Sequence, residues 1–342
     1  MPAPRGARAR GFGYPMWMIA DLDQLLDRAL AVRAPLLARR DLDALRLFNG
    51  RADGVDGLVI EKFADVLIVQ LHEGRLQVGM SELRRLIEEL HARLKTRAVY
   101  RKWFVRDRAR VSEEHAAEHT RPEPWIGTRV EPQLLIQEYG LKFIIRPYDG
   151  FSVGLFLEHR DNRRRIGELS AGRRVLNTFA YTCGFSVAAT AGGAVGTASV
   201  DLHKRYLEWG KENFGANALD LTAHMFFLSD TFEFYKRALR QGRRYDLIVL
   251  DPPTFSRSRR PPRVFVLDEQ LEELVTGAVE LLDPGGWLLL ATNDRGITRE
   301  RMEAALVSAI PHRPCTLIER PELPPDFAGD PEYSKTLLAR YE

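Results

Sequence analysis

Apolar residues first recur along the chain at helical spacing. Leu22, Leu25, Leu26, Ala29 and Leu30 predict a helix over 21–40. From residue 45 the period shortens. Residues 45–48, 58–63 and 66–71 read as strands, the last two forming a hairpin around Ala64-Asp65. Asp53-Gly54-Val55-Asp56-Gly57 is turn chemistry. Leu83, Leu86, Ile87, Leu90 and Leu94 put one apolar face on a helix over 78–94. A strand follows at 98–105, then a polar loop at 111–123. Residues 133–137 and 141–146 flank Glu138-Tyr139-Gly140 as a second hairpin. The pattern predicts an arm and helix over 1–44 and a small α+β domain over 45–147, with Pro147-Tyr148-Asp149-Gly150 as the junction.

Beyond the junction, over 148–342, helical and strand patterns alternate. Strands are expected at 174–177, 198–201, 225–228, 245–250, 287–291 and 336–341. Helices are expected at 158–169, 186–193, 204–214, 232–240, 271–282 and 301–310, and Pro284-Gly285-Gly286 reads as a turn. Alternation of this kind gives an α/β fold around a doubly wound, Rossmann-like sheet. The first strand runs into Thr178-Phe179-Ala180-Tyr181-Thr182-Cys183-Gly184-Phe185. Gly184 is the one glycine in that turn, free to take unusual backbone angles and leaving room for a ligand. A pyrophosphate loop needs several glycines and bare amides. One glycine among aromatic residues favours an adenosine ligand without phosphates, such as S-adenosylmethionine. Asp201 ends the second strand, where an acid can bind the two hydroxyls of a ribose.

Composition narrows the class. Of 342 residues, 45% are hydrophobic and 28% charged, as in packed globular proteins. Cys183 and Cys315 are the two cysteines, too few for a disulfide framework or a zinc site by themselves, and no metal is expected. No apolar run has membrane-spanning length and no signal peptide is evident, so the cytoplasm is the default and no membrane partner is expected. A net charge of +3 means that any nucleic-acid footprint comes from local clusters. Four stand out: Arg5, Arg8 and Arg10; Arg101, Lys102, Arg106, Arg108 and Arg110 interleaved with Trp103 and Phe104; Arg160, Arg163, Arg164 and Arg165; and Arg257, Arg259, Arg260 and Arg263. Each also fits a solvated surface. The last two, beside the expected ligand edge, favour an RNA-binding rim.

Asp251-Pro252-Pro253-Thr254-Phe255 follows the fourth strand, at the ligand edge of such a sheet. Two prolines stiffen the turn and remove two donors. The turn can aim the Asp251 carboxylate and the Pro252 carbonyl at a base, and Phe255 can stack on a base drawn out of its stack. With this turn, Phe156-Leu157-Glu158-His159-Arg160-Asp161-Asn162-Arg163, the Asn177–Val187 stretch and Ser199-Val200-Asp201-Leu202 resemble the RlmI/RlmK group of class I methyltransferases, which act on large-subunit ribosomal RNA. The catalytic resemblance covers about 140–342, and the stretch from Leu47 to Leu58 resembles the central domain of RlmI-type enzymes. The PUA domain of those enzymes is expected to be absent, so RNA binding is expected to rest on the small α+β domain at 45–147 and on the basic surface. The resemblance implies a Rossmann-like methyltransferase domain and S-adenosylmethionine as cofactor. It implies that Phe179, Tyr181, Thr182 and Gly184 line the methionine part, that Asp201 holds the ribose with Leu202 beside the adenine, and that Asp230 accepts from the adenine amino group with Thr231 adjacent. His159 and Arg160 stand where the family reaches toward the cofactor carboxylate. The implied partner is 23S ribosomal RNA or a large-subunit precursor.

Which atom receives the methyl depends on the nucleophile. Methylation at cytosine C5 needs a thiolate to attack C6. RlmI-type enzymes carry that cysteine after the fifth strand, where this chain has Ala291-Thr292-Asn293-Asp294-Arg295-Gly296. That stretch, Thr254-Phe255-Ser256-Arg257-Ser258 and Asp326-Phe327-Ala328 resemble RlmK instead, which methylates guanine N7. N7 has a lone pair and no proton, so positioning suffices. Asp251 would hold the guanine edge and Asn293 would orient the base. Guanine N2, or another base nitrogen, is the alternative; at N2 a proton must be lost. A small-molecule or protein methyltransferase, and an RNA-binding module without catalysis, are the other readings.

Overall fold

The computed structural model describes residues 21–105, 113–259, 262–310 and 313–342. The arm with Arg5, Arg8 and Arg10, and Arg106, Arg108, Arg110 and Arg260, lie outside the described residues. Helix α1 (Leu22–Leu37) starts where Asp21 Oδ1 accepts from Asp23 N at 3.0 Å, a side-chain cap, and buries the expected leucine face. It packs on a five-stranded sheet ordered β1 (Ala44–Asn49), β2 (Leu58–Phe63), β3 (Val66–His72), β4 (Ala98–Phe104), β5 (Ile126–Gly127). β3 and β4 are parallel, and the crossover between them is α2 (Met80–Leu94). Leu83, Leu86, Ile87 and Leu90 face the sheet at the spacing that predicted the helix. The expected loop after β4 contains a short helix, α3 (Glu113–Glu118), which the polar sequence concealed.

The second hairpin, β6 (Leu134–Glu138) and β7 (Leu141–Ile145), does not join that sheet. Its Ile136, Phe143 and Ile145 share one apolar cluster with Ala44, Phe63 and Ile68 of the small sheet and with Leu155, Ala180, Cys183 and Phe214 of the C-terminal half. The junction expected at 147–150 therefore falls inside a continuous core. Burial of these side chains couples the two halves of the chain.

The C-terminal half contains α4 (Arg160–Leu169), β8 (Arg174–Thr178), α5 (Gly184–Ala191), β9 (Gly196–Asp201), α6 (Lys204–Ala216), β10 (His224–Leu228), α7 (Thr231–Arg240) and β11 (Tyr245–Leu250). After these come β12 (Phe255–Arg259), β13 (Pro262–Val266), α8 (Leu267–Glu280), β14 (Leu282–Thr292), α9 (Arg299–Ser308), β15 (Cys315–Glu319) and β16 (Lys335–Tyr341). Seven strands form one sheet in the order β10-β9-β8-β11-β14-β16-β15. The first five are parallel, and β16 runs antiparallel to β14 and to β15. This is a Rossmann-like α/β fold. Successive strands step outward from β8 to β10, then return beside β8 at β11, so the switch point lies between β8 and β11. The loops leaving those two strands are the cofactor turn and the Asp-Pro-Pro turn. Pro284-Gly285-Gly286 is a bulge inside β14: the partner of Tyr245 is Leu282, but that of Leu247 is Trp287. Among the described residues no helix is long and apolar enough to cross a membrane.

Candidate active site

The turn after β8 is built from residues in an uncommon backbone region. Phe179 (φ +54°), Tyr181 (φ +49°) and Cys183 (φ +60°) are all left-handed. Gly184, expected to supply that freedom, is instead the first residue of α5 and has no positive φ. Its value is space: a Cβ there would stand 3.3 Å from Arg163 Cδ and 3.4 Å from Leu155 Cδ1. Left-handed backbone costs a non-glycine residue roughly 1–2 kcal/mol. The surroundings hold the turn in place. Ala180 N donates to Val200 O at 2.9 Å, Tyr181 N to Asp201 Oδ2 at 2.9 Å, Thr182 Oγ1 to Gly154 O at 2.6 Å and Asn213 Nδ2 to Thr182 O at 2.9 Å. Strain fixed in this way marks functional loops.

A cavity of about 250 Å³ opens at the switch point. Of the expected residues, His159, Phe179, Tyr181, Thr182, Gly184, Asp201, Leu202, Asp251, Pro252 and Asn293 line it. The structure brings them together from the segment before α4, both switch-point loops, the end of β9 and the loop after β14. Asp201 Oδ1 also accepts from His203 N at 2.8 Å, so both carboxylate oxygens are aimed by backbone donors and each keeps capacity for a ligand hydroxyl. Its hydrogen bond raises the pKa of the His203 ring.

The structure places the remaining expected residues differently. Arg160 does not line the cavity: its guanidinium is fully buried, ion-paired with Asp326 and donating to Ala44 O at 3.1 Å. Asp230 and Thr231 are not among the lining residues. Asp230 Oδ1 caps α7 by accepting from Phe232 N and Glu233 N at 3.0 and 3.3 Å. Phe255 stands outside, half exposed, with the Arg257 guanidinium 5.3 Å from its ring centre. In the extended β12 neighbours point to opposite faces, and Ser256 takes the lining position. The basic rim shrinks as well. Arg163 is buried in a bidentate pair with Glu138, both contacts at 2.7 Å, while Arg165 pairs with Glu319 and Arg263 with Glu273. In the central cluster Arg101 pairs with Glu118, and Lys102 is buried, donating to Gly150 O, with its pKa pushed down to about 7 by burial.

The sequence reading missed Glu158, Phe156, Tyr206 and His203 as lining residues. Phe156 and Glu158 sat within a motif already singled out; Tyr206, on the first turn of α6, gave no signal of its own. His159, 4% exposed, lies with Nε2 3.2 Å from Asp251 Oδ2, and its Nδ1 is 3.1 Å from Asn162 Nδ2. Burial disfavours the charged ring, but the Asp251 carboxylate and its hydrogen bond prevail, and the pKa is raised. Cys183 is fully buried, its thiol pushed up to about 12 by burial, and Cys315 lies on the outermost strand.

The lining chemistry fits S-adenosylmethionine. Phe156, Phe179, Tyr181, Phe185 and Tyr206 provide apolar and aromatic surface, and Glu158, Asp201 and Asp251 provide carboxylates. The one guanidinium among the lining residues, Arg163, is already neutralised by Glu138, so this lining is not arranged for a pyrophosphate. A ligand bearing a sulfonium, an ammonium and a ribose suits that set.

Comparison with known proteins agrees. A family model described as S-adenosylmethionine-dependent methyltransferase matches residues 45–340. A ribosomal RNA large subunit methyltransferase of Deinococcus radiodurans is 34% identical over 296 residues, 86% of this chain and 70% of that protein. Ribosomal RNA large subunit methyltransferase K of Neisseria meningitidis serogroup B is 41% identical over 161 residues, 47% of this chain and 46% of its own length. The crystal structure of SMU.776 complexed with SAH superposes with a TM-score of 0.81 at 28% identity, covering 93% of this chain and 80% of that one. With the switch-point cavity and its carboxylates in view, the chain belongs to the S-adenosylmethionine-dependent methyltransferases, in the RlmI/RlmK group its motifs resemble, and S-adenosylmethionine is its cofactor.

Proposed function

We propose that this enzyme methylates a guanine of 23S ribosomal RNA at N7. Its relatives named as large-subunit ribosomal RNA methyltransferases support the substrate class. The observation that carries the choice of a base nitrogen is that Asp251 and Asn293 both line the cavity, while Cys183 is sealed in the core. A thiol that is buried and protonated does not attack a pyrimidine.

In this reading Asp201 holds the ribose hydroxyls, Leu202 lies against the adenine, and Phe179, Tyr181, Thr182 and Gly184 surround the methionine part, with Glu158 as a further acceptor for its ammonium. S-adenosylmethionine supplies an electrophilic methyl on a sulfonium. Asp251 accepts from the guanine N1–H and amino group, with the Pro252 carbonyl beside it, and Asn293 sets the tilt of the ring. His159 donates from Nε2 to Asp251 and fixes the direction of its carboxylate. N7 attacks with its own lone pair, so alignment of the base is the main contribution of these groups. A second reading, guanine N2, is favoured by that same His159–Asp251 contact, since N2 transfer releases a proton that such a pair can take up.

The test uses labelled cofactor, deproteinised rRNA from a strain lacking the enzyme, and mass spectrometry of the digested nucleosides. Label in 7-methylguanosine supports the proposal; label in 2-methylguanosine moves it to N2, and label in 5-methylcytidine refutes both. Asp251→Ala is expected to lower turnover strongly while leaving cofactor affinity near wild type. A loss of cofactor binding with unchanged turnover at saturation would place Asp251 wrongly.

A further inference from the structure

Beside the cofactor cavity lies a larger one of about 810 Å³, and Asn293 belongs to the walls of both. One side of this groove is the turn after β1, the stretch resembling the RlmI central domain, with Arg51 and Asp56. The end of the small sheet adds His72 and Arg75, and the other side is formed by Arg295, Asp330 and Tyr333 of the catalytic half. The two sides touch. Gly329 (φ +84°) lies so close to the turn that a Cβ there would stand 2.9 Å from Ala52 Cβ. The groove is thus a seam between the halves of the chain, adjoining the cofactor cavity at Asn293.

Its cations are available. The Arg51 side chain is 87% exposed, with Asp56 no nearer than 3.4 Å. Arg75 is exposed and forms no ion pair among the described residues. Arg295, also exposed, is tethered to Asp330. Half-exposed pairs of this kind hold their charges loosely, and a phosphate offers a guanidinium the same bidentate contact as a carboxylate. A nucleotide whose base enters the cofactor cavity past Asn293 must leave its sugar-phosphate chain in the adjoining opening.

We propose that this groove binds the single-stranded RNA segment flanking the target nucleotide, with Arg51 and Arg75 on its phosphates and Arg295 next to the base entrance. The inference rests on the reading of RNA as substrate and adds the path that the strand takes.

The probe is a fluorescein-labelled 20-nucleotide RNA of mixed sequence, titrated with the full chain across a KCl series. For Arg51→Gln/Arg75→Gln, the slope of log affinity against log salt is expected to fall by about 1.4, two phosphates at about 0.7 each. KM for deproteinised rRNA is expected to rise about tenfold with kcat retained, while cofactor affinity by calorimetry stays at the wild-type value. Arg84→Gln/Arg85→Gln on α2, away from the groove, removes the same charge and is expected to leave slope and KM unchanged. Wild-type slope and KM in the groove variant, or equal losses in the α2 variant, overturn the proposal. Wild-type protein that binds the cofactor but no RNA at low salt removes both this inference and the reading beneath it. RNA binding that depends on the groove without methylation of rRNA leaves the groove standing and refutes only the assigned substrate.

Discussion

Asp201 anchors the backbone of the cofactor turn with its carboxylate, and in the proposed reading the same carboxylate holds a ribose. Asp201→Ala is expected to weaken cofactor binding roughly ten- to hundredfold, in line with about 1.5–3 kcal/mol for hydrogen bonds to a charged group. Calorimetry reads this directly, and equal affinity would refute the assignment. His159 gives a pH signature. The Asp251 carboxylate and Glu158 favour its charged form, while burial and Arg163 oppose it, and the net shift is upward from 6.5. A raised folded pKa means that its contribution to stability is complete below about 6.5 and fades as pH climbs through the folded value. The difference in melting temperature between wild type and His159→Gln should therefore be largest near pH 6 and shrink toward pH 9. A difference constant across that range would contradict the His159–Asp251 pairing. The buried thiol offers a simpler check. Cys183→Ala/Cys315→Ala is expected to keep methyl transfer within a few-fold, with some loss of stability from the missing core atoms; abolished transfer in a folded variant would revive thiolate chemistry.

The strands and helices that carry the site were legible because each presents a clean pattern. From Leu247 to Leu250 β11 is continuous apolar sequence, as a strand buried on both faces must be, and α2 repeats its leucines at helical spacing. Asp201, Asp251 and Asn293 were legible as residues of the cavity because they stand at or just after the carboxyl ends of sheet strands. Other features left no such trace. Three residues with side chains, Phe179, Tyr181 and Cys183, hold the left-handed positions of the cofactor turn, where a sequence reading looks for glycine. β12 reads Phe-Ser-Arg-Ser-Arg, with no polar–apolar alternation, so Phe255 to Arg259 read as a charged rim rather than one strand of a hairpin. Arg160 looked like a ligand because its partner, Asp326, lies 166 positions away in the chain. A side chain's partner across that separation is set by the fold, and no local period encodes it.

For the molecule as a whole, the loop near Asp326 clamps the two halves of the chain. Asp326 pairs with Arg160 of α4 and accepts from Arg46 N of β1 at 2.9 Å; its carbonyl accepts from Arg33 of α1 at 2.8 Å. Arg46 is itself buried against Glu61 and lies 4.2 Å from the Phe327 ring centre. Asp326→Asn would leave the Arg160 guanidinium buried without its counter-charge, and a loss of about 3–5 kcal/mol in urea unfolding is expected. A loss under ~0.5 kcal/mol, the range of an ordinary surface substitution, would mean that the clamp contributes little. The same clamp joins the halves of the chain at the seam where the proposed RNA groove meets the cofactor cavity, so the proposed alignment of base and methyl donor would depend on it. That alignment is tested most directly by borohydride reduction and aniline cleavage of rRNA treated with enzyme and S-adenosylmethionine, which cuts the strand at 7-methylguanosine. Cleavage at one guanine, requiring both enzyme and cofactor and lost in Asp251→Ala, is the expected result. Methylated rRNA that resists cleavage at every guanine would show that the methyl goes to another atom.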